Sequence, residues 1–198
     1  MKGLILDTTV KNGYVAAFDG EVEAVRYFDA TLSTQSALIP ACRAVLSDLS
    51  LTACDLDGIA AVVGPGSFTG IRIGVTFANA IAFALALPRF SISAFDVMQG
   101  ILHDAPAYAV SAGHGSFYAA FREGGRLVQR NAEESELPTG TVSQSAILAD
   151  LPKGAILAAR LAFEEKEYSA CAPTRETDYL KPNYMRASQA ERLKEGKK

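Results

Sequence analysis

Ala60-Ala61-Val62-Val63-Gly64-Pro65-Gly66-Ser67-Phe68-Thr69-Gly70-Ile71-Arg72-Ile73-Gly74-Val75-Thr76-Phe77-Ala78-Asn79-Ala80 is the stretch that decides the fold. Ile59 to Val63 is apolar without alternation, which fits a strand buried on both faces of a parallel sheet. Gly, Pro and Ser then make a turn, and a helix follows whose first residues place hydroxyls where unpaired N–H groups need acceptors. At about 100° per residue, Arg72, Thr76 and Asn79 fall within about 60° of one another, with Phe83 among them. Well over half of the remaining circumference is apolar or small, more than one sheet face can cover. Gly70, Gly74, Ala78 and Ala82 recur every fourth residue as a ridge nearly free of side chains. Glycine inside a helix costs roughly 1 kcal/mol relative to alanine, so the ridge implies a close packing partner. That partner is either the preceding helix, Gln35 to Leu49, or another subunit.

Outward from this stretch, Leu4-Ile5-Leu6 ends at Asp7-Thr8-Thr9. Tyr14 to Phe18 and Val22 to Phe28 follow across turns at Lys11-Asn12-Gly13 and Asp19-Gly20, giving a three-stranded meander. Ser33 or Thr34 caps a helix over Gln35 to Leu49 whose apolar side carries Leu38, Ile39, Cys42, Val45, Leu46 and Leu49. After the central helix come Pro88, a strand near Phe90 to Ile92 and a helix from about Ala94 to His103. The first hundred residues therefore read βββαβαβα.

The pattern restarts with Ala107 to Ser111, a turn at Ala112-Gly113-His114-Gly115, Ser116 to Arg122, and Arg126 to Gln129, so the chain is expected to duplicate one unit. Residues 131 to 140 are expected as a surface connection, Ser143 to Leu151 as a short helix, Ala155 to Ala158 as a short strand, and Ala187 to the end as a basic helix. The organisation expected is an N-terminal α/β lobe over 1–104, a smaller lobe over 105–186, and a helix over 187–198 that packs on the first lobe.

With 198 residues, 49% hydrophobic and 21% charged, the chain can bury a real core. A net charge of -3 excludes a nucleic-acid footprint over the whole molecule. From Lys181 onward, however, six basic residues stand against Glu191 and Glu195, a tail suited to a solvated helix end or to RNA contact. Cys42, Cys54 and Cys171 are widely spaced in small or apolar surroundings, as expected of reduced thiols in a cytoplasmic protein. The longest apolar run is broken by Arg72 and Asn79, so no membrane segment is expected.

Asp7-Thr8-Thr9 at a strand end suits phosphate and Mg²⁺, the carboxylate reaching metal-bound water and the hydroxyls phosphoryl oxygens; a turn closed by its own side chains is the alternative. Gly64-x-Gly66-x-x-x-Gly70 misses the dinucleotide spacing, has no acid about twenty residues on, and has no lysine for a phosphate-binding P-loop. His103 and His114 assemble no triad, and no metal-binding pairs occur at helical spacing.

Ile5-Leu6-Asp7-Thr8-Thr9, the Gly-Pro-Gly-Ser-Phe-Thr-Gly-x-Arg-x-Gly string from Gly64 to Gly74, and Asp178-Tyr179-Leu180-Lys181 together resemble the TsaB (YeaZ) family. The resemblance implies the two-lobed actin, Hsp70 and sugar-kinase (ASKHA) fold, with duplicated βββαβα units and here a reduced second lobe. It implies a non-catalytic subunit in the synthesis of threonylcarbamoyladenosine on tRNA. Its expected partners are a TsaD-like catalytic paralogue and a TsaE-like ATPase, a second copy of itself when alone, and tRNA through the basic tail. Where the catalytic paralogue carries His-x-x-x-His, this chain reads Ser93 to Gln99 without histidine. Where the family has Asp-Ala-Arg and Glu-Val-Tyr, it reads Ser111-Ala112-Gly113 and Ser116-Phe117-Tyr118. Thr34 replaces a usual histidine, and Leu157-Ala158-Ala159-Arg160 lacks the glycines that would admit an adenosine.

The expectations are therefore specific. Asp7, Thr8, Thr9, Gly64, Gly66, Ser67 and Thr69 form vestigial phosphate loops. No cofactor or metal is expected, beyond weak or interface-shared ATP or ADP. The partner interface uses Gly70, Gly74, Phe77, Ala78, Ile81 and Ala82 with Ile39, Cys42 and Leu46. The rival expectation is an enzyme of the same fold, a small-molecule kinase or a metallopeptidase-like hydrolase, using Asp7, Thr9 and the Gly64 to Gly70 turn on phosphate.

Overall fold

The computed structural model describes residues 1–29, 31–168 and 179–185. Strands β1 (Lys2–Asp7), β2 (Tyr14–Asp19) and β3 (Val22–Tyr27) are followed by α1 (Thr34–Asp48), β4 (Gly58–Val62), α2 (Phe68–Ala84), β5 (Arg89–Ile92) and α3 (Ala94–Ile101), the βββαβαβα order expected. The strands form one sheet in the order β3-β2-β1-β4-β5, β4 parallel to both β1 and β5. The central strands are those without alternation, because both of their faces are covered. Leu4 and Leu6 of β1 point to the layer of α1 and α2, while Ile5 between them points to the layer of α3.

Serines start all three helices, as short hydroxyl side chains do when they satisfy a first-turn N–H. Ser33 Oγ accepts from Ser36 N at 3.3 Å, Ser67 Oγ from Gly70 N at 3.2 Å, and Ser93 Oγ from Phe95 N at 3.1 Å. At α3 the Asp96 carboxylate also accepts from Ser93 N at 2.8 Å, closing a capping box.

A second sheet repeats the plan. Strands β6 (Ala107–Gly113), β7 (Ser116–Glu123), β8 (Arg126–Glu133) and β9 (Val142–Ser143) lie in the order β8-β7-β6-β9 with β9 parallel to β6. That is the order β3-β2-β1-β4 again, with a two-residue fourth strand and a single short 3₁₀ turn, Glu134–Glu136, in place of a helix between β8 and β9. The inner face of this sheet, through Tyr108, Val110 and Ala120, joins the same core as α3.

The sequence misplaces the end of this unit. Neither the short helix at Ser143 to Leu151 nor the strand at Ala155 to Ala158 forms; instead α4 spans Leu151–Tyr168. A four-residue apolar run does not distinguish strand from helix. The wider spacing does, because Leu151, Ala155, Ala159 and Phe163, all buried, recur every four residues. α4 then lies across the first sheet, its Phe163 ring stacked on Phe90 at 4.0 Å and edge-on to Phe18 at 5.6 Å. Arg160 donates to the Gly20 carbonyl at 2.6 Å and to Glu23 at 2.9 Å, tying α4 to the β2–β3 turn. Residues 131 to 133, expected in a connection, extend β8. The basic helix expected over 187–198, Cys171 and Asp178 lie outside the described residues. No helix among the described residues is long and apolar enough to cross a membrane.

Candidate functional site

Because β1 and β4 run parallel and adjacent, the loops at their carboxyl ends meet, in the crevice where open α/β sheets place ligands. Asp7, Thr8 and Thr9 accordingly come together with Gly66, Ser67 and Gly70, and all three residues of the first loop are buried. Their polar groups, however, face one another. Thr8 Oγ1 donates to the Gly70 carbonyl at 2.6 Å, and Thr9 donates to Asp7 Oδ1 through its hydroxyl at 2.7 Å and its backbone N–H at 2.8 Å. Ser67 N donates to the Thr9 carbonyl at 2.8 Å, and a Cβ at Gly66 would stand 2.7 Å from Thr9 Cβ. Both threonine hydroxyl protons are thus engaged inside the protein, and a phosphate, which only accepts, finds neither of them free. Thr69 is exposed on the first turn of α2.

Burial raises the pKa of Asp7 above the ordinary carboxyl range, opposed by the two Thr9 bonds and by the nearby Tyr14 hydroxyl. Burial, with the Asp7 charge second, pushes Tyr14 well above the ordinary phenol value. In the second sheet, the matching β6–β7 turn offers Ser111, Ala112, Gly113 and His114. Ser111 Oγ accepts from Gly113 N, and Ser116 donates to Glu133 at 3.0 Å. This turn supplies neither a carboxylate for Mg²⁺ nor a guanidinium for phosphate, so the cleft's residues do not fit a magnesium nucleotide. Among the described residues no three His, Cys, Asp or Glu side chains group as metal ligands.

The small-residue ridge of α2 faces inward, which corrects the interface expected from it. Gly70, Gly74, Ala78 and Ala82 are all buried. A Cβ on Gly70 would collide with the Thr8 carbonyl oxygen, and one on Gly74 with Thr8 Oγ1. The ridge's close partner is therefore the chain's own first loop. Cys42 and Leu46 likewise point into the core beside Ala78 and Ala82, because α1 turns their side to the sheet. Of the residues expected at an interface, Ile39 is 50% exposed and Phe77 and Ile81 are half-buried. The outer side of α2 presents Phe68, 43% exposed, and Phe83, 71% exposed. Between α1 and α2 runs an open groove of about 560 Å³, lined by Gln35, Ile39, Phe68, Arg72, Phe77 and Ala80 among others.

A further element escaped the sequence. Residues 179–185 form a strap over the α2 side of this junction. Asn79 donates to the Leu180 carbonyl at 3.1 Å and accepts from Leu180 N at 2.9 Å, and Leu180 itself is buried. Asn183 N donates to the Val63 carbonyl at 2.8 Å, next to the cis Gly64–Pro65 bond. Gly64 has φ +114, and a Cβ there would stand 2.9 Å from the Asn183 carbonyl, so glycine answers both the backbone angle and the close approach. The Tyr184 ring stacks on Phe68 at 4.8 Å. The one signal for the strap was Asn79, an amide in an otherwise apolar part of α2.

Two sheets of matching strand order, with helices layered on the first, define a two-lobed protein of the actin, Hsp70 and sugar-kinase fold. YeaZ from Pseudomonas aeruginosa superposes with a TM-score of 0.70 over 92% of this chain and 99% of that one; at 18% identity the likeness speaks for the fold. Residues 30–155 match the family model described as TsaD, tRNA N6-adenosine threonylcarbamoyltransferase. The chain belongs to this family, on its TsaB (YeaZ) branch. It is 38% identical over 60 residues to the tRNA threonylcarbamoyladenosine biosynthesis protein TsaB of Bacillus subtilis, covering 30% of this chain and 26% of that protein. To the TsaB of Buchnera aphidicola it is 30% identical over 95 residues, 48% of this chain and 45% of that protein. The matches thus span less than half the length of these curated relatives.

Proposed function

We propose that this chain is a non-catalytic subunit of the assembly that builds threonylcarbamoyladenosine on tRNA, and that it docks a TsaD-type catalytic paralogue through the outer surface of α1 and α2. The observation that carries the proposal is the open groove between those helices, with Ile39 and Phe68 exposed along it. Exposed apolar side chains gathered on one face mark an interaction surface. The commitment of Thr8 and Thr9 to Gly70 and Asp7 supports the same view, because it leaves the cleft without the donors an ATP-using enzyme of this fold would need. When no paralogue is present, the same groove serves self-pairing. A TsaE-type ATPase joins the assembled pair, and the basic tail from Lys181 onward contacts tRNA.

The test is co-purification with the TsaD-family paralogue from the same organism. Ala80 is exposed and lines the groove, so Ala80→Arg blocks docking without entering the core. Recovery of the paralogue with both Ala80→Arg and Ile39→Asp, each with an unchanged far-ultraviolet spectrum, would show that docking lies elsewhere. Calorimetric titration with ATP and Mg²⁺ separates the rival enzyme: tight binding by the isolated chain that Asp7→Ala abolishes would reject the scaffold role.

A further inference from the structure

The charges on the docking face are all of one sign. Between Ser33 and Ser47 of α1, and between Ser67 and Leu87 around α2, the charged residues are Arg43 and Arg72 alone. Both are exposed, and neither forms an ion pair among the described residues. Arg72 lines the groove, with its guanidinium 5.6 Å from the centre of the Phe68 ring, whose neighbour Tyr184 stacks on it. That contact holds the cation at the groove's mouth. Gln35, Ile39 and Arg43 recur every four residues, so Arg43 continues the groove-lining row of α1. Lys181, exposed and next to the Leu180 that Asn79 fastens to α2, adds a third positive charge. The carboxylates at the two ends of α1 are engaged: Asp48, its last residue, pairs with Arg26 at 2.6 Å, and Asp29, before its start, accepts from Thr31 at 2.6 Å. A molecule with a net charge of -3 thus presents a helix pair whose unpaired charges, among the described residues, are both positive.

We infer that the groove is built for a partner whose facing helices carry carboxylates opposite Arg72 and Arg43, and that it discriminates against a second copy of this chain. The inference rests on the docking role proposed above and adds what selects the occupant. A two-fold pair of identical chains brings the same patch against itself. It would set Arg43 and Arg72 of one copy against those of the other, while Asp48, the one carboxylate in α1 and α2, is already paired with Arg26. Like charges meeting in an interface cost several kcal/mol, whereas opposite charges steer association and fix register. The apolar floor of the groove provides attraction to either occupant; the cationic rim provides the choice. Self-pairing and partner binding therefore respond to salt in opposite directions. Screening weakens the complex with an acidic partner and relieves the repulsion within a homodimer.

The test uses the full chain and its purified TsaD-family paralogue, with affinity measured by calorimetry and self-association by sedimentation at about 0.05 M and about 0.5 M NaCl. Arg72→Glu is expected to weaken the heterocomplex by about tenfold or more, and Arg43→Glu in the same direction. An Arg43→Glu/Arg72→Glu chain mixed with the unaltered chain is expected to pair more tightly than the unaltered chain pairs with itself. If both reversals leave heterocomplex affinity within about twofold and insensitive to salt while Ala80→Arg abolishes it, the groove docks the partner but its charge does not select, and the inference falls alone. If Ala80→Arg is also silent, the docking role itself fails. Both arginines are exposed, so a circular dichroism spectrum matching the unaltered chain separates these results from misfolding.

Discussion

Gly74→Ala separates the inward-facing ridge from the ordinary behaviour of a helix. In an exposed helix interior, this substitution gains about 1 kcal/mol from reduced backbone entropy in the unfolded chain. Here the new Cβ meets Thr8 Oγ1, the atom whose proton bonds the Gly70 carbonyl one turn earlier. Moving that hydroxyl leaves a buried donor and acceptor unmatched, at about 1–3 kcal/mol, and crowding a packed site adds about 1–3 kcal/mol. The net expectation is destabilisation of roughly 1–5 kcal/mol, a fall in Tm of about 2–4 °C for each kcal/mol in a chain of this size. Urea unfolding followed by far-ultraviolet circular dichroism suits a protein without tryptophan. Thr8→Ala in the same background supplies the internal control. With Oγ1 gone, the next atoms, Thr8 Cβ and Cγ2, lie at 3.5 and 3.6 Å, an ordinary contact, though Cγ2 leaves with the hydroxyl. The double variant should then be more stable than the sum of its parts by about 1 kcal/mol or more. Stabilisation by Gly74→Ala alone, or strict additivity with Thr8→Ala, would refute the packing of α2 on the first loop.

Phe163→Ala should cost about 3–5 kcal/mol in the same unfolding assay, since the ring contacts both Phe90 and Phe18; a loss below about 1 kcal/mol would mean that α4 does not cover the first sheet. Asn79→Ala removes both bonds to Leu180 and should expose residues 179–185 to limited proteolysis, with the cleavage sites read by mass spectrometry; an unchanged cleavage pattern would remove Asn79 as the strap's anchor. For Asp7, burial raises the folded-state pKa above the unfolded value of about 3.9, so its stabilising contribution is complete below that value and is lost as pH rises through the folded one. Asp7→Asn keeps an oxygen for the two Thr9 donors and should flatten this decline, melting above the unaltered protein near neutral pH; a lower melting temperature there would show that the charged carboxylate is stabilising.

The first lobe was legible because its signals are local. Leu4 to Leu6 and Ile59 to Val63 lack alternation, and Ser33, Ser67 and Ser93 mark helix starts within a residue or two of where they fall. The second lobe was legible as a meander for the same reason. α4 is not legible locally, because Ala155 to Ala158 is a four-residue apolar run that fits a strand as well, and its helical period appears only from Leu151 to Phe163. The site was half legible. The recurrence of Gly70 and Gly74 rightly announced a close approach, but periodicity cannot say what approaches, and Thr8 stands 62 residues from Gly70 in the chain. Likewise nothing local pairs Asn79 with Leu180, 101 residues on, so an amide that fastens the strap resembled one more polar residue on an outer face.

These non-local contacts change what the glycine-rich turn does. In a phosphate-binding turn the donors point into the cleft and the glycines keep side chains out of the ligand's way. In this chain Thr8, Thr9 and Ser67 direct those donors at Gly70, Asp7 and Thr9, and the absent Cβ atoms of Gly66, Gly70 and Gly74 admit the first loop instead of a ligand. The result is a fixed start for α2, seated on β1 and β4 at one end and tied through Asn79 to the strap at the other. A docking surface made of side chains on two helices needs that fixity, because ordering a mobile helix on binding would subtract from affinity. Phe68 joins turn, strap and groove: it begins the helix that the turn secures, stacks with Tyr184 of the strap, and lines the groove beside Arg72. Loosening the turn should therefore weaken partner docking even though no residue of the turn needs to touch the partner.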